Sequence, residues 1–531
     1  MKKLSICILF ACLFGSISAQ KHEVNERPRL VVTIAIDGLR SDYLTMLWNG
    51  LSEGGFRRLI NDGSYCRNMN YPYRNVGNAA DYASVYSGSM PADHSICGDT
   101  YWEPASNRYY SYLYDKERKG IGTDVKISPV NFLSSTFVDE LKLNTMGKAK
   151  VITIAINANE AVIMAGHGGN ATVWIDDRQG TWASTNYYTS LLPQWASKMN
   201  SENPAQENVN RNWTNLYIGS QYKTISAQNQ ASAFFAHPFE SSNKDYPFER
   251  LKQSPVANTM VKDLALAALK DDYIGIDETP DMLNLQFTVR GFNQASTGVL
   301  TAETEDLYLR VDQDLAELID AINKKCGNSN VMYVVYAPQS EYVSPDFLKM
   351  YGIPSGYFVA DRSLALLNSH LMATYGQGDF IHSYANHQLF LNKSEIEKRN
   401  LNVQEVTRKI SDFMVRFQGV QMAFTAEEMD RVDCSNDRMQ QIRNSYNRAH
   451  GGDIILYMQP GWVSVPNESV KVGLSTRINN HAPFIISGWK VKRQLIKQAF
   501  SALDIAPTIC NILHLNYPDA NLGQALQDIV E

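Results

Sequence analysis

The chain has little cysteine. Seven Cys occur in 531 residues, two of them (Cys7 and Cys12) in the first dozen, and no two are spaced CxxC. That spacing excludes a zinc knuckle and a dithiol redox motif. The remaining five, Cys66, Cys97, Cys326, Cys434 and Cys510, are an odd number. A disulfide is open in an oxidising compartment, but its pairing is not legible. A basic excess is also missing. Lys plus Arg number 49 against 55 Asp plus Glu, a net charge of −6, which argues against a nucleic-acid binder. Beyond the first 20 residues there is no apolar run long enough to cross a membrane. Internal repeats and low-complexity tracts are absent too.

What is present begins at the N-terminus. Met1-Lys2-Lys3 precedes an apolar run from Leu4 to Phe14, then the small residues "GSISAQ". This pattern predicts a secretory signal peptide over 1–19, cleaved after Ala19. Cys12 fits a lipidation site poorly, because the apolar core before it is short. The expected location is the periplasm, the outside of the cell or the outer membrane surface. The mature chain of about 510 residues is long enough for a large core with additions.

"RLVVTIAIDGLRSDYL" opens the mature region with a continuous β-branched run, as expected of a strand buried on both faces. Further strand candidates are "AKVITIAI", "MLNLQFT", "NVMYVVYA" and "PFIISG". Helical patterns alternate with them, notably "EDLYLRVDQDLAELIDAINKKCG". The alternation predicts an α/β fold with a mostly parallel central sheet flanked by helices. Two regions break it, at 170–245 and 344–448, and are expected to be insertions or cap elements on one domain spanning 20–531. In such a sheet, sites form beyond the carboxyl ends of the strands. That gathers Asp37, Asn157, Asn159 and the segments after Thr288 and Ala337. A plainer reading of Asp37 is a cap for the next helix.

Seven segments then appear in order: "VVTIAIDGLRSDYL", "GGFRRLINDGSYCRN", "ASVYSGSMPADHSI", "AVIMAGHGGNATVWIDD", "EDLYLRVDQDLAELI", "NNHAPFIISG" and "ALDIAPTICNIL". Together they resemble the alkaline phosphatase superfamily, nearest the bacterial periplasmic phosphatases with a Thr nucleophile and the nucleotide pyrophosphatase/phosphodiesterases. The resemblance spans about Arg29 to Gly523. It implies two zinc ions held by carboxylates and imidazoles, activating a Thr or Ser and neutralising phosphoryl charge.

Carried over position by position, that site is largely missing. Asp37 matches the first metal-ligand Asp, and His481 the last metal-ligand His. The nucleophile position, in "RNVGNAADYASVYSG", is Asn78, whose amide is a poor nucleophile. The Asp-x-x-x-His segment falls on "GFNQA", placing Gly291 and Ala295 where ligands belong. The Asp-His pair falls on Pro338 and Gln339. The basic pair that grips the phosphoryl group maps to Asn157 and Asn159, and a contacting Asn maps to Asp99, where an acid would repel phosphate.

The resemblance therefore implies a phosphatase scaffold without nucleophile or zinc, binding a small polar ligand or a protein partner in the cell envelope. No cofactor is expected on this reading. The competing expectation is a zinc-dependent phosphomonoesterase or phosphodiesterase using ligands from the insertions. A cleft lined by Asn78, Asn157, Asn159 and Gln339 offers donors and acceptors suited to a neutral ligand such as a sugar. His94 and His167 occupy motif positions and are read as packing residues. His370, His382 and His387 lack metal-ligand spacing. The many Tyr and Trp of the two inserted regions suit either sugar stacking or packing of a cap on the core.

Overall fold

The computed structural model describes residues 27–74, 76–217, 235–241, 243–290, 300–338, 343–431, 437–470, 473, 475 and 482–530. The expected signal peptide, Cys434 and the site positions Gly291, Ala295, Gln339 and His481 lie outside these residues.

The apolar run read first is β1 (Leu30–Asp37), buried along its whole length. It lies mid-sheet because both of its neighbours cover it. The main sheet has 11 strands among the described residues. From one side its order runs β2 (Gly63–Asn70), β14 (Ala482–Gly488), β7 (Val331–Tyr336), β1, β6 (Asp281–Thr288), β3 (Val151–Ala155), β4 (Ala171–Ile175) and β5 (Trp182–Thr185). The central five, β7 to β4, are parallel. Antiparallel pairs flank them, β14 on β7 and β5 on β4. The mostly parallel sheet read from the sequence is present.

Helices cover the sheet. α1 (Asn78–Ser87) is buried at almost every position, and α2 (Ala158–Ala165) packs beside it. The long helices α3 (Pro255–Asp271) and α4 (Ala302–Cys326) pack against each other, α4 closing at Cys326 before Gly327. Thr301 caps α4 by accepting from the Thr304 amide. The four described Cys, Cys66, Cys97, Cys326 and Cys510, are buried free thiols.

Two expectations need correction. Within 170–245, β4 and β5 pair into the main sheet, so residues 171–185 are core and not cap. The aromatic residues that suggested a cap, Trp174 and Trp182, are almost fully buried in this sheet. Arg40, which beside Asp37 reads in the sequence as a helix-start or surface residue, is buried and bonded through Nε and Nη2 to Asp42.

Between β7 and β14, which are neighbours in the sheet, the chain leaves to build a second lobe. It contains β8 (Gly356–Val359), α5 (Ala360–Tyr375), β9 (Ile381–Ala385), β10 (Gln388–Leu391), α6 (Val403–Met414), β11 (Val420–Thr425), β12 (Ile454–Met458) and β13 (Trp462–Val465). β9, β10, β12 and β11 form a four-stranded antiparallel sheet over a core of their own, centred on Leu367, Leu389, Ile410 and Leu456. The lobe is tied to the main core through Arg74. This fully buried guanidinium donates from Nη1 to the Leu456 carbonyl and from Nη2 to that of Asn386. Arg74 sits four residues before α1, so the same loop anchors the lobe and delivers the helix start to the cleft.

Candidate functional site

The carboxyl ends of β1, β3 and β6 open into a cavity of about 680 Å³. Asp37 and Asn157 line it together, as the sheet geometry predicts, with Asn78 from the resemblance and with Thr288, Arg290 and Lys252. Two of the other predicted residues stand aside. Asn159 turns away, its Oδ1 accepting from Ser111 Oγ at 2.7 Å while its Nδ2 reaches the Asp99 carbonyl at 3.4 Å. Asp99 uses Oδ1 to accept from the Ala79 amide at 3.1 Å, in the first turn of α1. It therefore serves the helix start, where the backbone dipole favours a negative charge. A Cβ at Gly77, whose φ is +118°, would stand 3.0 Å from the Asp99 carboxylate, so glycine admits this contact. Pro338 is buried beyond the end of β7 and has no side-chain donor atom.

Asp37 is almost fully buried, and both of its oxygens are engaged. Tyr82, one turn along α1 from Asn78, donates its hydroxyl to Oδ1 at 2.8 Å. Gln286, from within β6, donates Nε2 to Oδ2 at 3.0 Å. The Gln286 carbonyl in turn accepts from the amides of Ile156 and Asn157, at 2.9 and 3.0 Å. One side chain thus joins β1, β6 and the end of β3. Burial pushes the Asp37 carboxyl up, and the nearby Arg290 guanidinium with the two hydrogen bonds pulls it back.

Arg290 is the residue the sequence reading passed over. Its Nη2 donates to Asn78 Oδ1 at 2.9 Å. The end of β6 that carries it is pinned on two sides. Asn258 on α3 exchanges two 2.8 Å hydrogen bonds with the Thr288 backbone, and the Val289 amide donates to the Asp37 carbonyl. The stem of Arg290 lies on Gly38, where φ is +80° and a Cβ would come within 2.8 Å of Arg290 Cγ. The glycine after Asp37 therefore leaves room for this arginine. Its signal in the sequence was a basic residue directly before "GFNQA", the segment read only for its missing ligands. Gln286 also had a signal, a polar side chain inside a strand buried at every position.

Two more groups complete the charge pattern. Glu160, buried in α2, is pushed up to about 8 by burial first, then by the nearby Asp37 and Asp99. Lys252 is nearly buried and pairs with Asp177 at 2.6 Å. The exposed side chain of Asp99 keeps water contact at the rim, although the protein around it pushes its carboxyl up. The solvent contact weighs more in setting its charge. The cleft thus holds more carboxylates than cations, and each cation already serves one.

The histidines have structural partners. His94 is buried between Ser84 Oγ, at 3.0 Å from Nε2, and the Ile96 amide, which donates to Nδ1; burial lowers it to about 3. His167 is held by Asp139 and the Phe132 carbonyl. His370 stacks on Phe413.

Among the described residues, the donor set does not fit a dinuclear zinc site. Both Asp37 oxygens are committed to neutral donors, and the carbonyl of Asn78 accepts from a fixed guanidinium. A zinc ligand set would need anionic or imidazole donors there.

Comparison with known proteins matches this fold to phosphate-ester hydrolases. A family model described as type I phosphodiesterase/nucleotide pyrophosphatase matches residues 31–483. A protein of Myroides odoratus named calcium-transporting ATPase is 28% identical, aligned over 99% of both chains. Alkaline phosphatase PafA of Elizabethkingia meningoseptica is 26% identical over 97% of both. The crystal structure of wild-type PafA superposes with a TM-score of 0.85 at 25% identity, covering 95% of this chain and 99% of that one.

Proposed function

We propose, for a chain that belongs to the type I phosphodiesterase/nucleotide pyrophosphatase family, a cleft that no longer catalyses. It binds a small neutral polar ligand or a protein partner of the cell envelope, after export by the N-terminal signal. The observation that carries this reading is the Arg290 to Asn78 hydrogen bond beside Asp37. A guanidinium occupies the neighbourhood where a nucleophile and metal charge would act, and it supplies the positive charge that Asp37 needs. The sequence supports the reading without any alignment register. From Val289 to Ala302 there is no Asp, Glu, His or Cys, so no metal ligand of ordinary type can come from that segment. Zinc has no role on this reading.

The lining favours a neutral ligand. Asn78, Asn157, Asn243 and Gln253 present amides to the cavity, and Asp37, Asp177 and Glu249 present acids. A phosphate dianion would meet two cations, Arg290 and Lys252, each already engaged by a neighbour. The names of the relatives favour the second reading, a metal-dependent phosphatase or phosphodiesterase with unusual ligands. Metal content of the purified chain and turnover of an aryl phosphate separate the two. The expected result is no stoichiometric zinc and no turnover, in both the native chain and Asn78→Thr. Stoichiometric zinc with turnover abolished by Asp37→Ala would overturn the binding reading.

A further inference from the structure

The second lobe carries a groove unrelated to the cleft. It is open, holds about 1100 Å³, and runs along β8 between that strand, the start of α5 and the turn after α6. The main chain around it is occupied. β8 pairs along its length with β13, the Gly356 amide donates to the Gly461 carbonyl, and the Val359 carbonyl accepts from Ser363 Oγ at 2.8 Å. Recognition in this groove therefore falls to side chains, and these are of two kinds.

The first kind is aromatic. Phe413, Phe417 and Trp462 line the groove, each half-buried. Phe413 and Phe417 stand edge to face, with ring centroids 5.5 Å apart. The indole of Trp462 lies against the backbones of Gly356 and Gly419. A Cβ at either would run into the ring, so both glycines make room for it. The rings are thus held in place by the lobe, and a ligand that lies on them need not order them first.

The second kind is cationic, and its sign is opposite to that of the molecule. Lys349, Arg362 and Arg416 line the groove against one acid, Glu468, in a chain of net charge −6. Arg362 and Glu468 are 3.9 Å apart with about three-quarters of each side chain exposed. Lys349 stands 4.0 Å from Asp346. Exposed pairs at such distances contribute little and yield readily to a better partner. A guanidinium offers a planar fork that a carboxylate or sulfate meets at two points.

This combination selects among anionic ligands. An extended peptide takes its register from main-chain pairing, and the backbone here is engaged. A sugar ring needs no such pairing. Its C–H face suits an aromatic ring, its hydroxyls stay in water at an open groove, and an acidic group at its edge reaches a cation. We propose that this groove binds an acidic polysaccharide. The sugar rings would lie on Trp462 and Phe417, and the carboxylate or sulfate groups would meet Arg362, Arg416 and Lys349. This inference rests on neither the loss of catalysis nor the contents of the cleft.

The test is isothermal titration of the full chain with polygalacturonate, alginate and chondroitin sulfate at physiological ionic strength. At least one should bind, and R362E/R416E should weaken it about tenfold or more. Dextran has the rings without the charge, and poly-glutamate has the charge without the rings. Each should bind more weakly than the acidic polysaccharide by a similar factor. An unchanged thermal melt shows that the double variant is folded; if it melts early, the dextran and poly-glutamate comparisons on the native chain decide. No binding of any acidic polysaccharide, binding indifferent to the double variant, or dextran or poly-glutamate bound as tightly overturns the proposal. Self-association abolished by the double variant also overturns it, by giving the groove to a second copy of the chain.

Discussion

The cleft at the ends of β1 and β6 and the groove along β8 use charge in opposite ways. In the cleft, Asp37 is buried and bonded on both oxygens, and Arg290 is fixed on Asn78. In the groove, Arg362 and Lys349 are loosely paired at an open surface, and Arg416 is exposed beside them. Charge that is desolvated and mutually satisfied belongs to the fold's stability. Charge left in water costs the fold little and remains free to meet a partner. The charge at the ends of β1 and β6 is thus held within the fold, and the exposed charge lies on the second lobe.

The largest expected effect is on pH dependence. Glu160 is raised to about 8 in the folded chain, against an ordinary value of 4.5. A raised folded value means that its stabilising share is whole below the ordinary value and is lost as pH rises toward 8. The slope is about 1.4 kcal/mol per pH unit across that window. Glu160→Gln should flatten it, as read by urea unfolding at pH 6, 7 and 8. Equal slopes in the two proteins would show that Glu160 is better solvated than its place in α2 implies.

Arg290 comes next. Arg290→Met leaves Asp37 buried without its nearby cation, at an expected cost of about 3 kcal/mol at pH 8. The cost should shrink as pH falls, because the Asp37 carboxyl is already raised by burial and, once protonated, no longer needs the charge. Asp37→Asn should recover much of the loss. A small loss with no such recovery would separate Arg290 from Asp37 and weaken the comparison at its root. Tyr82→Phe is the milder version, removing one hydrogen bond to Asp37 for about 1.5 kcal/mol. It should cost less in the Asp37→Asn background, as a double-mutant cycle measures.

The fold was legible because its signals are local and repeated. β1 announces itself in "LVVTIAI", and each parallel neighbour carries the same unbroken apolar pattern. The positions of Asp37 and Asn157 in one cleft followed from strand ends, and that of Asn78 from the resemblance. The residues that surround Asp37 were less legible than Asp37 itself. Arg290, Gln286 and Glu160 act through partners far away in sequence, and no local pattern marks a guanidinium as the counter-charge of a carboxylate some 250 residues earlier. Asn159 was misplaced because, two residues beyond Asn157 and inside α2, its side chain turns out of the cavity toward Ser111. The aromatic stretch after residue 170 was misread for a similar reason. Trp and Tyr at a sheet's edge look the same in sequence as Trp and Tyr on a cap.

The smallest expected effect falls on the groove, and it sharpens the comparison most. Reversing Arg362 and Arg416 to Glu removes one long exposed ion pair and places two carboxylates in water. Neither side chain is buried, and neither caps a helix or supports Phe358 in the lobe core. The change in unfolding free energy should therefore stay within about 0.5 kcal/mol, in contrast to Arg290→Met. Differential scanning calorimetry on the full chain reads both. A loss at Arg362 and Arg416 as large as that at Arg290 would mean that the groove charges also hold the fold together. They would then be no freer to meet a partner than those in the cleft.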